Sequence, residues 1–241
     1  MNASEPHRNH LGQPVGPPVP DWSARPRPPR TSMAGHFCTV EPLDLERHAA
    51  DLFAANAEDR DGRIWTYYPY GPFATLDDYR AWVTGACADP QRLFHAIRDN
   101  ATGKAVGVAA YINMQTAIGS VEIGSLVFSP RLQRRPAATE AMYLMMRRAF
   151  DELGYRRYEW KCDSLNAPSR AAATRYGFQY EGLFRQATIT RGRNRDTAWF
   201  SIIDSEWPAI RTAFEHWRDP ANFAVDGTQR RGLASFRSAA G

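Results

Sequence analysis

At 241 residues, with 43% hydrophobic and 23% charged positions, the chain has the length and balance of one well-buried domain with tails, which excludes a wholly disordered protein. No apolar run approaches the ~18 residues that a membrane span needs, and the N-terminus is polar and proline-rich, so a cytoplasmic protein with no membrane partner is expected. The formal charge of +4 rests almost wholly on arginine, since Lys104 and Lys161 are the only lysines, and it is too modest to choose a partner.

Residues 1–33 are rich in proline, which fixes φ and removes amide donors, so they read as an extended arm. That arm is either a disordered leader or a strap laid across the domain through Leu11, Val15, Val19 and Trp22. The domain proper is expected over residues 34–218. GHFCTVEPL (residues 35–43) alternates as a first strand, and LDLERHAADLFAAN (43–56) places Leu45, His48, Leu52 and Phe53 at helical spacing. WTYYPYGPF (65–73) is a loop with two prolines, a glycine and five aromatics. Thr75 then caps a second helix with acidic residues in its first turn. RLFHAIRD and AVGVAAYINM flank the turn NATGK as an antiparallel hairpin, and SVEIGSLVF (120–128) adds another strand. PAATEAMYLMMRRAFDELG carries an apolar stripe at Ala138, Ala141, Met142, Met145, Ala149 and Leu153, and stops at Gly154. YRRYEWKC reads as a strand, NAPSRAAATRYG as a short helix closed by Gly177, two further β runs surround RGRN, and SEWPAIRTAFEHWR is a closing helix. Residues 219–241 read as a loose tail. The order makes a mixed α/β fold with one parallel crossover in a mostly antiparallel sheet.

The crossover carries the chemistry. Gln133, Arg134, Arg135, Pro136, Ala137 and Ala138, followed by Thr139, Glu140 and Ala141, lie between a strand and the start of the most regular helix. The unpaired first amides of a helix, with the positive end of its dipole, bind pyrophosphate. This stretch resembles the Q/R-x-x-G-x-G/A signature of the GNAT superfamily of N-acetyltransferases. Asn166 to Ser169 with Gly177 and Phe178, and Glu181-Gly182 followed by residues 196–207, resemble the branch that includes the ribosomal-protein N-terminal (RimJ/RimL-like) acetyltransferases. The resemblance runs from about Gly35 to Trp217 and implies the GNAT fold, whose central twisted sheet has a splayed parallel strand pair flanked by helices, and acetyl-CoA as co-substrate with no metal. Pro136 stands where the family usually has its first glycine; it removes one donor, which Arg134 and Arg135 could offset. A bland reading of the same stretch is a capped helix with a solvated arginine pair.

By that resemblance the cofactor is held by Val127, Phe128, Gln133, Arg134, Arg135, Ala137, Ala138, Thr139, Asn166 and Ser169. Ser169 would hydrogen-bond the leaving sulfur and Asn166 the pantetheine or a water. The family tyrosine seven residues after the asparagine falls on Ala173, and Tyr176 sits on a different part of the helix, where packing is expected. The glutamate that the ribosomal-protein branch can use falls on Thr188, which takes no proton at neutral pH. Glu122, on the strand beside the gap, is the best remaining carboxylate for the base, with a structural hydrogen-bonding role as the alternative. Trp65, Tyr67, Tyr68, Tyr70 and Phe73 would build an aromatic wall for the acceptor amine, or else pack against one another.

The function expected is acetyl transfer to a primary amine by direct attack in a ternary complex, the acceptor being a small amine-bearing molecule or a peptide N-terminus. The rival is a non-catalytic acyl-CoA-binding or interaction module, suggested by Pro136, Ala173 and Thr188. The positive charges of the arms are interrupted by acids and prolines, so no nucleic-acid partner is expected. Cys38, Cys87 and Cys162 lack any CxxC pairing and the six histidines lack ligand spacing, so neither disulfide nor metal is expected. Monomer and homodimer both stay open.

Overall fold

The computed structural model describes residues 6–237. In chain order the elements are β1 (His7–Arg8), β2 (Pro14–Val15), β3 (Met33–Ala34), β4 (Cys38–Pro42), α1 (Leu45–Asn56), α2 (Leu76–Ala88), β5 (Leu93–Asp99), β6 (Ala105–Gln115) and β7 (Ser120–Phe128). Then follow α3 (Pro136–Arg147), β8 (Arg157–Asp163), α4 (Ala167–Tyr176), β9 (Gln179–Thr190), β10 (Arg193–Ile203), α5 (Trp207–Arg218) and α6 (Leu233–Arg237). Helix starts obey the local chemistry: Asp44 accepts from the Arg47 amide at 2.8 Å and Thr75 from the Asp78 amide at 3.1 Å, each satisfying a donor that the first turn leaves unpaired. The stripe predicted over 136–154 divides, because α3 passes at Arg148 into a π turn, Arg148–Glu152, before Gly154 closes it at φ 68°.

β1 and β2 form a separate ribbon, and the other strands make one sheet in the order β3-β4-β5-β6-β7-β8-β10-β9. Its one parallel pair joins Ser120–Ile123 to Arg157–Trp160, after which β7 and β8 run on unpaired and part. Alternate residues of β6 serve two cores, Val108 and Ala110 under α1 and α2, Ala109 and Tyr111 under α3 and α5. Glu140 of α3 is fully buried, and it takes the amides of His36, Phe37 and Cys38 at 2.9, 2.6 and 3.0 Å and the Arg218 guanidinium at 3.1 Å. One carboxylate thereby fastens the turn between β3 and β4 to the helix.

The N-terminal arm lies across the domain through one of the four anchors expected for it. Leu11, Val15 and Val19 stay 69%, 43% and 48% exposed, whereas Trp22 packs over Gly119 and its indole donates to Ala117 O at 2.8 Å. Arg148 adds a polar grip, donating to Thr31 O and Ser32 O at 2.6 and 3.1 Å.

The expectation of a loose tail is corrected over residues 219–237. Asn222 is buried and donates to Trp217 O at 2.8 Å, the Trp217 indole donates to Gln229 Oε1 at 2.9 Å, and Leu233 enters the core at 1% exposure. Composition pointed to a loop, and one leucine with a tryptophan anchor overrode it. Residues 238–241 of that expected tail, like residues 1–5 of the arm, lie outside the described residues.

Candidate active site

Where β7 and β8 part, a cavity of about 1040 Å³ opens between the loop entering α3, helix α4 and the C-terminal segment. Phe128, Gln133, Arg134, Arg135, Ala138 and Thr139 line it, as do Asn166 and Ser169. Val127 and Ala137 do not: both are buried, at 1% and 5% exposure, Val127 in the core beneath α1 and α2. Strand alternation sends Val127 to the face opposite its neighbour Phe128.

The loop itself is locked by its own groups. Gln133 turns its amide back to donate to Phe128 O at 2.8 Å, and Arg134 turns the chain at φ 60°. Pro136 has no amide and the Ala138 amide donates to Arg135 O at 3.1 Å, so few backbone donors face the cavity. Guanidinium groups make up the difference. Arg134 and Arg135 stand exposed at its rim, Arg63 lines it from the turn before the aromatic loop, and Arg175 lines it from α4 while donating to Thr139 Oγ1 at 2.8 Å. Sequence reading missed Arg63 and Arg175, which lie far from the loop in the chain. Four cationic forks suit the phosphates of acetyl-CoA, and Leu126, Phe128 and Trp160 give the strand opening an apolar lining for the pantetheine arm.

A second cavity of about 230 Å³ adjoins the first, and Tyr67, Tyr68, Leu126, Trp160, Asn166 and Ser169 line both. At this junction β7 bulges. Its pairing with β6 steps from Val127↔Val108 to Gly124↔Ala110, so Ser125 (φ 51°) and Leu126 together face Ala109, and the extra residue leaves the ladder. Ser169 Oγ accepts from the Trp160 indole at 3.0 Å, which leaves its own proton to donate into the junction. Asn166 caps α4, its Oδ1 accepting from the Ser169 amide at 3.1 Å. That oxygen is spent on the helix, and only the amide nitrogen is left for a ligand. The hydroxyls of Tyr67 and Tyr68 donate to the carbonyls of Leu165 and Leu126, and burial holds the Tyr68 hydroxyl protonated by pushing its pKa up.

Glu122, 4% exposed, lines the smaller cavity and accepts from Lys161 Nζ at 2.9 Å and Asn113 Nδ2 at 2.7 Å. Lys161 also reaches Glu159 at 2.8 Å and lies 3.9 Å from the centre of the Trp199 ring. Burial opposes the lysine charge, but Glu122 and Glu159 outweigh it and raise the Lys161 pKa, so the ammonium persists. The ladder extends to the surface through Arg157, which pairs with Glu159 at 2.7 Å and with Glu181 at 2.5 Å.

Of the five aromatic residues expected as a wall three reach the smaller cavity, and the alternative of mutual packing is seen as well, Trp65 meeting Tyr68 and Tyr70 each at 6.1 Å. Tyr67, Tyr68 and Tyr70 line the smaller cavity, whereas Trp65 is 3% exposed and meets Phe73 edge-on at 5.4 Å in the core under α1 and α2. Gly71 is required here, since a Cβ would stand 2.5 Å from the Trp65 ring. Ala173 is fully buried, Tyr176 packs 6.3 Å from Phe214 while edging the larger cavity, and Thr188 is exposed on β9. Among the described residues no cluster of three or more His, Cys, Asp or Glu side chains could hold a metal, and no helix is long and apolar enough to cross a membrane.

The sequence matches the acetyltransferase (GNAT) domain family over residues 38–179. It is similar to the uncharacterized N-acetyltransferase YnaD of Bacillus subtilis, 27% identical over 71% of this chain and 99% of the relative. It is also similar to YdaF of the same organism, named for ribosomal N-acetyltransferase activity, at 26% identity over 70% of this chain and 90% of the relative. Among solved structures, a GCN5-related N-acetyltransferase from Brucella melitensis is 44% identical and superposes with a TM-score of 0.89 over 91% of this chain and 100% of that one. A parallel strand pair that splays beside an arginine-lined helix start, matched by family and by relatives, makes this chain a member of the GNAT acetyltransferase family.

Proposed function

We propose that the protein transfers the acetyl group of acetyl-CoA to a primary amine by direct attack in a ternary complex. The observation that carries this reading is the meeting of two cavities at one shared set of side chains, so that cofactor and acceptor entering from opposite sides come together at Ser169. Acetyl-CoA supplies the activated thioester. The chain's own part is to hold phosphates with Arg63, Arg134, Arg135 and Arg175, and to offer the Ser169 hydroxyl as a hydrogen-bond donor to the departing sulfur. Glu122 sits on the acceptor side to orient the amine and take up its proton directly or through water. Direct attack is favoured over a thiol relay because burial raises the pKa of Cys162, the thiol beside Ser169, and makes it a poor nucleophile. The reaction belongs to the cytoplasm, where the co-substrate is at hand.

Thiol release from acetyl-CoA, followed against a library of amino acids, polyamines, aminoglycosides and peptides, tests the reading. Turnover above background with at least one amine, reduced by Ser169→Ala, is expected. Binding of acetyl-CoA with no thiol release from any amine would leave a non-catalytic acyl-CoA-binding module as the function.

A further inference from the structure

The smaller cavity carries an imbalance of charge that narrows the acceptor. Its carboxylates are only partly engaged: Glu122 accepts from Lys161 and Asn113, both at Oε2, which leaves Oε1 for a ligand, and Asp163 accepts from the Leu165 amide at Oδ1, 2.9 Å. Lys161 is shared between Glu122 and Glu159. Arg195 is different. Its Nε is buried and has no hydrogen-bond partner among the described residues, and its guanidinium lines the cavity. Tyr68 and Cys162 line the same cavity. The Tyr70 hydroxyl is buried too, and among the described residues no partner meets hydrogen-bond geometry although Ser125 is beside it. Arg92 also lines the cavity, 48% exposed and 3.5 Å from Asp89.

A half-buried guanidinium with an idle donor is costly unless something satisfies it, and its planar fork matches an oxyanion. Tyr70 adds a neutral donor at the same cavity. The opposite requirement, a seat for an ammonium, is met by Glu122 and by the faces of Tyr67 and Tyr68. At about 230 Å³ the space is below the ~300 Å³ at which drug-sized pockets begin, so both charges belong to one small molecule.

We infer that the acceptor is a small amine carrying an anionic group, with Arg195 and Tyr70 receiving the anion and Glu122 the amine. This rests on the acetyl-transfer reading and specifies its acceptor. A free peptide N-terminus, whose next atoms are an amide, leaves Arg195 without a counter-charge. The bond changes are those of the transfer already described: the amine nitrogen bonds the acetyl carbon, the carbon–sulfur bond breaks, and the amine proton leaves toward Glu122.

The experiment compares α-amino acids, their carboxamides, the corresponding decarboxylated amines and O-phosphoethanolamine, by thiol release and by calorimetric titration into the CoA-loaded protein. Wild type is expected to prefer anionic over neutral amines by at least ~100-fold in kcat/KM, as for a site whose buried donors are unpaired by the wrong ligand. The preference collapses toward unity in Arg195→Ala and returns in part in Arg195→Lys, with melting temperatures confirming that both variants fold. The carboxylate and phosphate arms identify which anion fits better, and preference for either supports the inference. Equal or better turnover of neutral amines by wild type, or an anionic preference that survives Arg195→Ala, overturns it while leaving acetyl transfer intact. No thiol release with any amine, together with anionic amines binding wild type but not Arg195→Ala, overturns transfer and keeps the anion site. Absence of both overturns both.

Discussion

Lys161 reaches Glu122 at 2.9 Å one residue beyond Trp160, where the backbone pairing between β7 and β8 ends. The side chains therefore take over from the ladder at the edge of the opening, and set how far the strands part. Breaking a buried ion pair by removing one partner costs about 3–5 kcal/mol. Lys161→Met, which leaves Glu122 and Glu159 facing each other, is expected to lower the melting temperature clearly. Glu122→Gln keeps the shape and is expected to cost less stability but about 100-fold in kcat, of the size lost with a general base. Calorimetric melting beside steady-state kinetics separates the two effects.

Ser169 accepts the Trp160 indole and has one proton of its own to offer. Ser169→Ala is expected to lower kcat about 100-fold, the lower end of what one transition-state donor is worth, with the KM for acetyl-CoA little changed. An unchanged kcat would reduce Ser169 to a helix residue that happens to face the junction.

Arg175 lies between Thr139 and the larger cavity, 4.5 Å from the Tyr176 ring centre. Arg175→Ala is expected to weaken CoA about tenfold, roughly the 1.5 kcal/mol of a charge-assisted hydrogen bond. The loss should fade as salt rises, which equilibrium dialysis at several ionic strengths would reveal.

His95 is fully buried, its ring against Leu93 O at 3.1 Å, and burial foremost, with Arg148 adding to it, lowers its pKa to about 3. The folded protein keeps this ring neutral while the unfolded chain protonates it near pH ~6.5. Between those values the unfolded state binds more protons, so stability falls as pH falls, by up to about 1.4 kcal/mol per pH unit from this group. Urea unfolding between pH 4 and 7 should show that slope, and His95→Gln should flatten it.

Glu140 concentrates three backbone amides and Arg218 on one buried carboxylate. Glu140→Ala orphans all four donors and is expected to cost several kcal/mol, about 1–3 for each buried group left unsatisfied. Gly35→Ala should act in the same direction, because its Cβ would lie 2.4 Å from Glu140 Oε2. Thermal melts of both variants check this.

The parts of the fold written in short-range chemistry were readable beforehand. Thr75 and Gly177 announce helix ends within four residues of themselves, and period together with turn residues gives the order of elements from β4 to α5, though not β1, β2, β3 or α6. What could not be read depends on partners distant in the chain. SVEIGSLVF shows no sign of its bulge, which arises from pairing with β6. Asn166 and Gln133 have residue types suited to a ligand, yet each spends a side-chain group on its own backbone. All but Tyr67 of the five loop aromatics pack in or against the core under α1 and α2, and which of them also reach the smaller cavity is decided by neighbours distant in the chain. Arg195 gave no signal within its RGRN-adjacent run, because the absence of a partner is visible only once every neighbour is placed.

The turn at residues 226–229 borders the larger cavity and is tied to Trp217 through Gln229. Asp226, Gly227, Thr228 and Gln229 are synthesised after every strand of the sheet. Every strand of the sheet therefore precedes this wall of the cleft in the chain, and a chain cut before residue 226 would carry all the strands yet an unfinished site. The same cut would remove Leu233 from the core, so closing the cleft and completing the core draw on one C-terminal segment.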